Sequence, residues 1–292
     1  MIKRTVEISQ PSYLSVKNRQ LVIEQEGRQA GTVPIEDLGV LIIDNRAVTC
    51  TQGVLIACWQ ENVVVVLCDE RHVPGALLLP ISGHSLHQKI LRQQITASAS
   101  CKKRLWQRIV RAKIEGQAAV LRSIGEEYRG LLAMARRVRS GDAGNLEAQA
   151  ARAYWLRLFG SGFRRDRSSE GINTLLNYGY SVVRAATARA IVGAGLHPGL
   201  SIFHRNQYNS MALADDLVEP LRPLVDLRVR ELSDEGVLEL NRESKTRLLE
   251  SLSWPVRMGD SRCPLLVALH QYAATVRACL AGERTQPIIP AL

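Results

Sequence analysis

The chain has 292 residues, 46% of them hydrophobic, which is enough apolar sequence for the core of one large domain or two modest ones. Its 38 lysines and arginines against 28 aspartates and glutamates give a formal net charge of +10, which favours a polyanionic partner such as nucleic acid. This composition excludes a disordered chain, although arginine-rich surfaces also occur in proteins that bind no nucleic acid.

The sequence contains neither an N-terminal apolar run of signal-peptide length nor a stretch of about 20 apolar residues that could span a membrane. We therefore expect a cytoplasmic protein without membrane association. The six cysteines show no CxxC or Cys/His spacing of the zinc-site type, so we expect them to be reduced core thiols.

The first part of the chain is predicted to form strands. From about residue 4 to 82 apolar and polar residues alternate, which predicts an antiparallel sheet with a hairpin connection at 17–20. Two uninterrupted apolar runs, 39–43 and 63–68, suit strands that are buried on both faces. The segment 51–60 between them predicts one short helix.

The rest of the chain reads as helix. Residues 85–139 are rich in Ala, Leu, Gln, Lys and Arg and contain no proline, so they should form long helices. Asn145 is expected to cap a helix over 146–159. The sequence therefore predicts an α+β fold, with an N-terminal antiparallel β domain over 1–84 and a larger all-α domain over 85–292.

The positive charge is concentrated in this second part. Lys102 and Lys103 belong to the basic helical segment, and Arg164, Arg165 and Arg167 lie in a loop predicted at 160–171. Each of these side chains could simply belong to a solvated surface. As a group they predict a track for DNA phosphates.

Four residues carry candidate chemistry. Glu147 stands one turn into its helix, where a carboxylate could also just favour the positive end of the helix dipole. His204 lies where an apolar stretch turns polar, so it could be an ordinary histidine bonded to a backbone carbonyl. Asp216 and Glu219 are three residues apart and would share one face of a helix.

Two carboxylates on one face repel each other. Unless Arg222 or solvent relieves that repulsion, a divalent cation is the natural compensation. Oxygen ligands with one imidazole suit Mg²⁺ or Mn²⁺ better than structural zinc. The sequence has no GxSxG, Walker A or GxGxxG motif, so covalent catalysis and nucleotide hydrolysis have no positive support.

Segments along nearly the whole chain resemble the CRISPR-associated endonuclease/integrase family, in that family's order and approximate spacing. They are Arg4–Ser9, Leu14–Asn18, Ile35–Asp44, Cys68–His72, Leu77–His84, Leu146–Trp155, Asn173–Tyr180, Gly195–His204 and Asp216–Pro223. One departure is Glu170-Gly171, where many members have Asp-Pro, and it puts only the local loop in question.

The resemblance implies metal ligands at Glu147, His204 and Glu219, which would act as the catalytic residues. Asp216 matches a nearby acid of the family, and whether it is a direct ligand stays open. The implied activity is insertion of spacer DNA into a CRISPR array, by attack of a DNA 3′-hydroxyl on a repeat phosphodiester. The alternative is a non-catalytic DNA-binding or assembly subunit on the same scaffold.

The resemblance also implies an assembly. The N-terminal domain would mediate a homodimer, and two dimers would be bridged by a dimer of a small ferredoxin-like CRISPR adaptation subunit to form a hetero-hexamer. The DNA partners would be the spacer precursor and the CRISPR repeat. In type II systems the effector nuclease would be a further associate.

Overall fold

The computed structural model describes residues 3–81, 83–204 and 206–292. The strands are β1 (Arg4–Ile8), β2 (Tyr13–Lys17), β3 (Gln20–Gln25), β4 (Arg28–Pro34), β5 (Leu38–Ile43), β6 (Thr49–Cys50), β7 (Val64–Cys68), β8 (Pro74–Leu78), β9 (Pro255–Met258) and β10 (Ser261–Pro264). The helices are α1 (Gln52–Gln60), α2 (His87–Thr96), α3 (Ala99–Ser123), α4 (Arg129–Arg137), α5 (Leu146–Phe159), α6 (Ile172–Gly193), α7 (Ala212–Val218), α8 (Arg222–Asp234), α9 (Arg242–Leu249) and α10 (Leu265–Leu280). Strands precede a larger helical part, which confirms the predicted α+β class.

The outer sheet, with strand order β4-β3-β2-β6, contains the expected hairpin. Strands β2 and β3 pair antiparallel, with Lys17 opposite Gln20. Between them Asn18 and Arg19 have positive φ angles of 51° and 60°, as a two-residue turn requires if its twist is to match that of the strands. The predicted connection at 17–20 is confirmed.

The central sheet, with strand order β1-β5-β7-β8, differs from the antiparallel pairing expected from the sequence. Strand β5 pairs parallel with both β1 and β7, and antiparallel pairing occurs between β7 and β8. The reason is the connection from β5 to β7, which runs through α1, since a crossover of this kind returns the chain in the same direction. The predicted helix over 51–60 is this crossover.

The two faces of the central sheet belong to different cores. Val40 of β5 and Val64 of β7 pack with the helices, whereas Leu41 and Val65, one residue further on, pack with the outer sheet. Successive residues of a strand point to opposite faces, so each apolar run is buried on both faces of the sheet. Because the sheet shares a core with the helices, the division at residue 84 stays a prediction.

A buried ion pair also joins the two parts. Lys245 of α9 places its Nζ atom 2.5 Å from Oδ2 of Asp44, which follows β5. Both side chains are buried, and the Asp44 carboxylate also contacts His72 Nδ1 at 3.0 Å. The strands and helices are therefore held together by charge as well as by apolar contact.

The helical part contains one element that the sequence did not predict. Strands β9 and β10 form a short antiparallel hairpin after α9, and Arg257 of β9 also bridges to Ala291 near the C-terminus. The part predicted as all-α is therefore helical with one hairpin. None of the helices in the described ranges combines the length and apolar composition that a membrane span needs.

Helix α5 has the predicted bounds but a different cap. Asn145 has a left-handed φ of 50°, and its side chain makes no capping hydrogen bond. The backbone N–H groups of Leu146 and Glu147 donate instead to the Asp142 carboxylate, at 2.9 and 3.0 Å. The expectation that Asn145 caps this helix was wrong, because the chain folds back through a 3-10 turn at Ser140–Asp142 and brings an earlier acceptor to the helix start.

A buried polar centre links α5, α6 and α8. The hydroxyl groups of Tyr154 and Tyr180 both donate to the carboxylate of Asp226, which is 1% exposed. Burial raises the pKa of Asp226 from 3.8 to about 7, although the tyrosine hydrogen bonds and nearby Arg222 oppose this change. Because the folded-state pKa lies above the unfolded value, this group stabilises the fold least at high pH.

We predict that Asp226→Asn removes this pH dependence. Relative to the natural chain, the variant should gain stability as pH rises from 4 towards 7, because over that range the Asp226 carboxyl group ionises in the unfolded natural chain but stays protonated in the folded one. Urea unfolding at about pH 5 and about pH 8, at fixed protein concentration, measures the difference in free energy of unfolding. The exposed Asp260→Asn is the control, and an equal effect of Asp226→Asn at both pH values would contradict the prediction.

Candidate active site

Glu147 lies in the first turn of α5, immediately after the Asp142 cap. Its Oε1 atom is 2.6 Å from Nζ of Lys113, which comes from α3. The Glu147 side chain is 24% exposed, so it borders solvent. The helix start therefore aims one carboxylate at a lysine that is mostly buried.

Glu219 begins the 3-10 turn at Glu219–Leu221, which Pro220 forces between α7 and α8. Its Oε2 atom is 2.5 Å from Nζ of Lys113, and its Oε1 atom is 2.9 Å from Nε of Arg222. Burial alone would raise the pKa of Glu219, but Arg222 and Lys113 lower it to about 2. This carboxylate is ionised in the folded protein.

His204 is held in place by Asp216. The Nδ1 atom of His204 is 2.5 Å from Oδ1 of Asp216, and the ring meets Trp106 of α3 edge to face, with the ring centroids 5.3 Å apart. This hydrogen bond raises the pKa of His204, and the nearby carboxylates of Glu219 and Glu147 act in the same direction. With Nδ1 occupied, Nε2 is the nitrogen left for another partner.

Asp216 lies three residues before Glu219 and has different hydrogen-bond partners. It is fully buried, and it accepts backbone N–H bonds from Ile202 and Phe203 at 2.6 and 2.9 Å on Oδ2. Its Oδ1 atom takes the ring and the backbone N–H of His204. Val218 and Glu219 both have helical backbone angles, so the expectation that the two carboxylates share one helix face stays a prediction.

The structure thus brings Glu147 and Glu219 to one cationic position, and both carboxylates act to raise the pKa of the His204 imidazole. In the described ranges no three His, Cys, Asp or Glu side chains form a ready-made metal cage. The Lys113 ammonium lies between the two carboxylates instead. Two anionic oxygens within 2.6 Å of one cation, beside an oriented imidazole, are a donor set that fits Mg²⁺ or Mn²⁺.

A cavity of about 250 Å³ opens beside this position. Lys113, Glu219 and Arg222 line it together with Asp226, and Arg165 and Arg167 reach it from the loop after α5. Four of these six side chains are basic. The cavity next to the carboxylates is therefore suited to an anion such as a phosphate group.

The arginines of the predicted DNA-binding set differ in their surroundings. Arg164 and Arg167 are exposed. Arg165 is half-buried and donates from Nη1 to Asn173 and from Nη2 to Asn177, at 2.9 and 2.7 Å. Arg165 thus fixes the loop to α6, whereas its two neighbours are free for an external partner.

The two lysines of that set lie elsewhere. Lys102 is half-buried and Lys103 is exposed, near the start of α3. Lys113 is ten residues further along the same helix, a distance of about 15 Å at the rise of an α-helix. Lys102 and Lys103 are therefore separate from the carboxylate pair.

The sequence analysis did not single out Lys113 among the basic residues of the helical segment 85–139. A signal was present, because Ile109, Val110, Ile114 and Gln117 place it on the buried face at helical spacing. A lysine on the apolar face of an amphipathic helix needs an anionic partner.

Comparisons with known proteins place the chain in a family. The family model described as CRISPR associated protein Cas1 matches residues 7–251. The CRISPR-associated endonuclease Cas1 of Neisseria meningitidis serogroup C (strain 8013) is 39% identical over 292 residues, covering 99% of this chain and 95% of that protein.

Two solved structures share the fold. A casposase bound to integration product matches with a TM-score of 0.80 and 19% identity, over 99% of this chain and 93% of that one. A chain of the partial Cas6-RT-Cas1–Cas2 complex matches with a TM-score of 0.64 and 16% identity, over 97% of both chains. The family match and the Neisseria relative confirm the resemblance found in the sequence: this chain belongs to the Cas1 family of CRISPR-associated proteins.

Proposed function

We propose that this chain is a divalent-metal-dependent DNA endonuclease and integrase that inserts spacer DNA into a CRISPR array. Its Neisseria relative is named an endonuclease, and one structural neighbour is a casposase bound to an integration product. The observation that carries the proposal is the convergence of Glu147 and Glu219 on one cationic position beside His204.

Glu147, Glu219 and Nε2 of His204 would hold Mg²⁺ or Mn²⁺. A bound ion of this kind would act as a Lewis acid on phosphate oxygens and would lower the pKa of an attacking hydroxyl group. Asp216 would not be a direct ligand, because four hydrogen bonds already occupy its oxygens. Its role would be to hold the imidazole in the tautomer with Nδ1 protonated.

In the proposed reaction the 3′-hydroxyl of an incoming DNA end attacks a repeat phosphodiester. A new P–O bond to that 3′-oxygen forms, the old P–O bond breaks, and the departing 3′-oxygen takes up a proton. One phosphodiester replaces another, so the reaction needs no protein nucleophile and no external energy source. Water as the attacker at the same position gives hydrolysis, which is the nuclease activity.

The basic residues beside the carboxylates would position the phosphate. Arg222 is fixed by Glu219, and its guanidinium lies over the Tyr180 ring, 4.5 Å from the centroid. Arg167 is exposed at the mouth of the same cavity. Such groups can neutralise negative charge on the scissile phosphate without reading sequence.

A larger surface could carry the duplex. We name it the basic groove, a depression of about 860 Å³ with six arginines: Arg108, Arg111, Arg122, Arg136, Arg257 and Arg262. Glu115 is the carboxylate side chain among its described lining residues. Arg111 and Lys113 are about 200° apart around α3, so Arg111 projects from the side of that helix opposite to Lys113.

The assembly also belongs to the proposal. We expect a homodimer formed through the strands, and a complex with a small ferredoxin-like CRISPR adaptation subunit as a hetero-hexamer. The support is family membership and the fold shared with a chain of a Cas1–Cas2 complex. The type II effector nuclease would be a further associate, and the cytoplasm the place of action.

We predict that Glu147→Gln, Glu219→Gln and His204→Ala each lower strand transfer by more than about 100-fold, because each removes a ligand from the same ion. Asp216→Asn should cost only about 10- to 100-fold, since it disturbs the orientation of His204 and leaves the ligands in place. The measurement is integration of a labelled DNA end into a repeat substrate with Mn²⁺, and the exposed Glu283→Gln is the matched control. Integration by all three ligand variants at the rate of the natural chain would overturn the ligand assignment, and absence of integration by the natural chain itself would favour the alternative of a non-catalytic DNA-binding or assembly subunit.

We predict that the basic groove contributes to DNA affinity through phosphate contacts. Replacing both Arg122 and Arg136 by glutamine should weaken binding and reduce the slope of log affinity against log salt by about 2, at about 0.9 per lost contact. Fluorescence anisotropy of a labelled duplex between about 50 and about 200 mM salt measures the slope. The control removes two charges from the outer sheet, Lys17→Gln with Arg28→Gln, and equal slopes for the two double variants would contradict the prediction.

A further inference from the structure

Lys113 occupies the position at which the two carboxylates meet. It reaches there from the middle of α3, its side chain is 11% exposed, and its Nζ atom lies 2.6 Å from Glu147 and 2.5 Å from Glu219. Burial lowers the pKa of Lys113, but Glu219 and Glu147 outweigh this effect and raise it above the ordinary value. The two carboxylates thus hold the Lys113 ammonium group between them in a mostly buried place.

The carboxylate oxygens of Glu147 and Glu219 differ in whether they already accept a hydrogen bond. Oε2 of Glu147 accepts no hydrogen bond from the residues that the structure describes, so it can take a new cation without losing a partner. Glu219 has no such spare oxygen, because Oε1 is bonded to Arg222 and Oε2 to Lys113. A metal ion that binds both residues would lie close to one of these two cations, and repulsion between like charges favours displacing that cation from Glu219.

Arg222 is the harder cation to move. It lies three residues from Glu219 on the adjoining turn, and its planar guanidinium is stacked over Tyr180. Lys113 is a point charge on a flexible four-carbon stem, and it can turn away from one carboxylate while it keeps the other. The contact that yields is therefore the one between Lys113 and Oε2 of Glu219.

We propose that Lys113 is an internal counter-cation, which holds Glu147 and Glu219 together in the metal-free protein and is displaced from Glu219 when a divalent cation binds. The proposal rests on the metal site of the proposed function and adds a residue that competes for it. Lys113 is thus a positioning residue for the carboxylate pair and at the same time a determinant of metal affinity.

The sign of the effect on affinity follows from linkage. Without metal, removal of Lys113 leaves two neighbouring carboxylates with one fewer cation, which destabilises the metal-free state. With metal, the same removal takes away a positive charge that repels the ion at close range. Both effects favour binding, so a neutral residue at position 113 must tighten metal affinity.

The test compares Lys113→Met with the natural chain in two measurements that need no DNA. Calorimetric titration with Mn²⁺ should show at least about tenfold tighter binding by the variant. Thermal unfolding should show a lower Tm for the variant in EDTA, and a much smaller deficit with saturating Mn²⁺. Lys113→Arg, which keeps the charge, should not tighten binding.

Lys245→Met is the matched control, because Lys245 is the other lysine in the structure with a buried carboxylate contact, to Asp44. Its loss should lower the Tm equally with EDTA and with Mn²⁺, and it should leave Mn²⁺ affinity unchanged. A general effect of removing a buried lysine would appear in both variants. Displacement of Lys113 by the metal predicts tighter Mn²⁺ binding, and a Tm deficit that Mn²⁺ relieves, for the Lys113 variant and not for the Lys245 variant.

Suppose that the natural chain binds Mn²⁺ and Glu147→Gln does not. Unchanged or weaker Mn²⁺ binding by Lys113→Met would then overturn this inference and leave the proposed function intact. Failure of the natural chain itself to bind Mn²⁺ would instead overturn the proposed metal site, and the inference with it. If Lys113→Met folds only with Mn²⁺, that rescue supports the proposal. If Lys113→Met folds neither in EDTA nor with Mn²⁺, Lys113→Gln takes its place in the titration. Tighter Mn²⁺ binding by Lys113→Gln than by the natural chain supports the proposal, and unchanged or weaker binding overturns it.

Discussion

The site depends on how two acidic side chains are kept ionised close together in a partly buried place. Glu147 and Glu219 come from different elements, and an uncompensated pair of carboxylates there would repel each other and would also lose hydration. Lys113 and Arg222 supply the compensating charge, at 2.5 to 2.9 Å from the carboxylate oxygens. In the proposed function, this charge balance would set where a divalent cation, and with it a phosphate, binds.

The fold serves that arrangement through a few local devices. The Asp142 carboxylate starts α5 and so sets the direction of Glu147, while Pro220 breaks the helix directly after Glu219. Asp216 binds the backbone N–H of Ile202 and the imidazole of His204. The central sheet packs one face on the helices and the other on the outer sheet, which gives these helices a rigid base.

Much of this organisation could be predicted from local pattern. Alternation in the first part, helical composition after residue 85 and the bounds of α5 follow from the order of apolar residues alone. Contacts between distant residues could not be read in this way, since Lys113 lies 34 positions from Glu147 and 106 from Glu219. The parallel pairing of β5 and the cap from Asp142 were not predicted either. Each depends on how the chain folds back on itself in space.

The central claim is that Glu147, His204 and Glu219 hold one hard cation. Anomalous diffraction from crystals soaked in Mn²⁺ tests it most directly, because the scattering locates the ion without reference to activity. The account predicts one peak within about 2.0 to 2.3 Å of a carboxylate oxygen of Glu147, a carboxylate oxygen of Glu219 and Nε2 of His204. A peak bound by other side chains, with Lys113 still bridging both carboxylates, would contradict it.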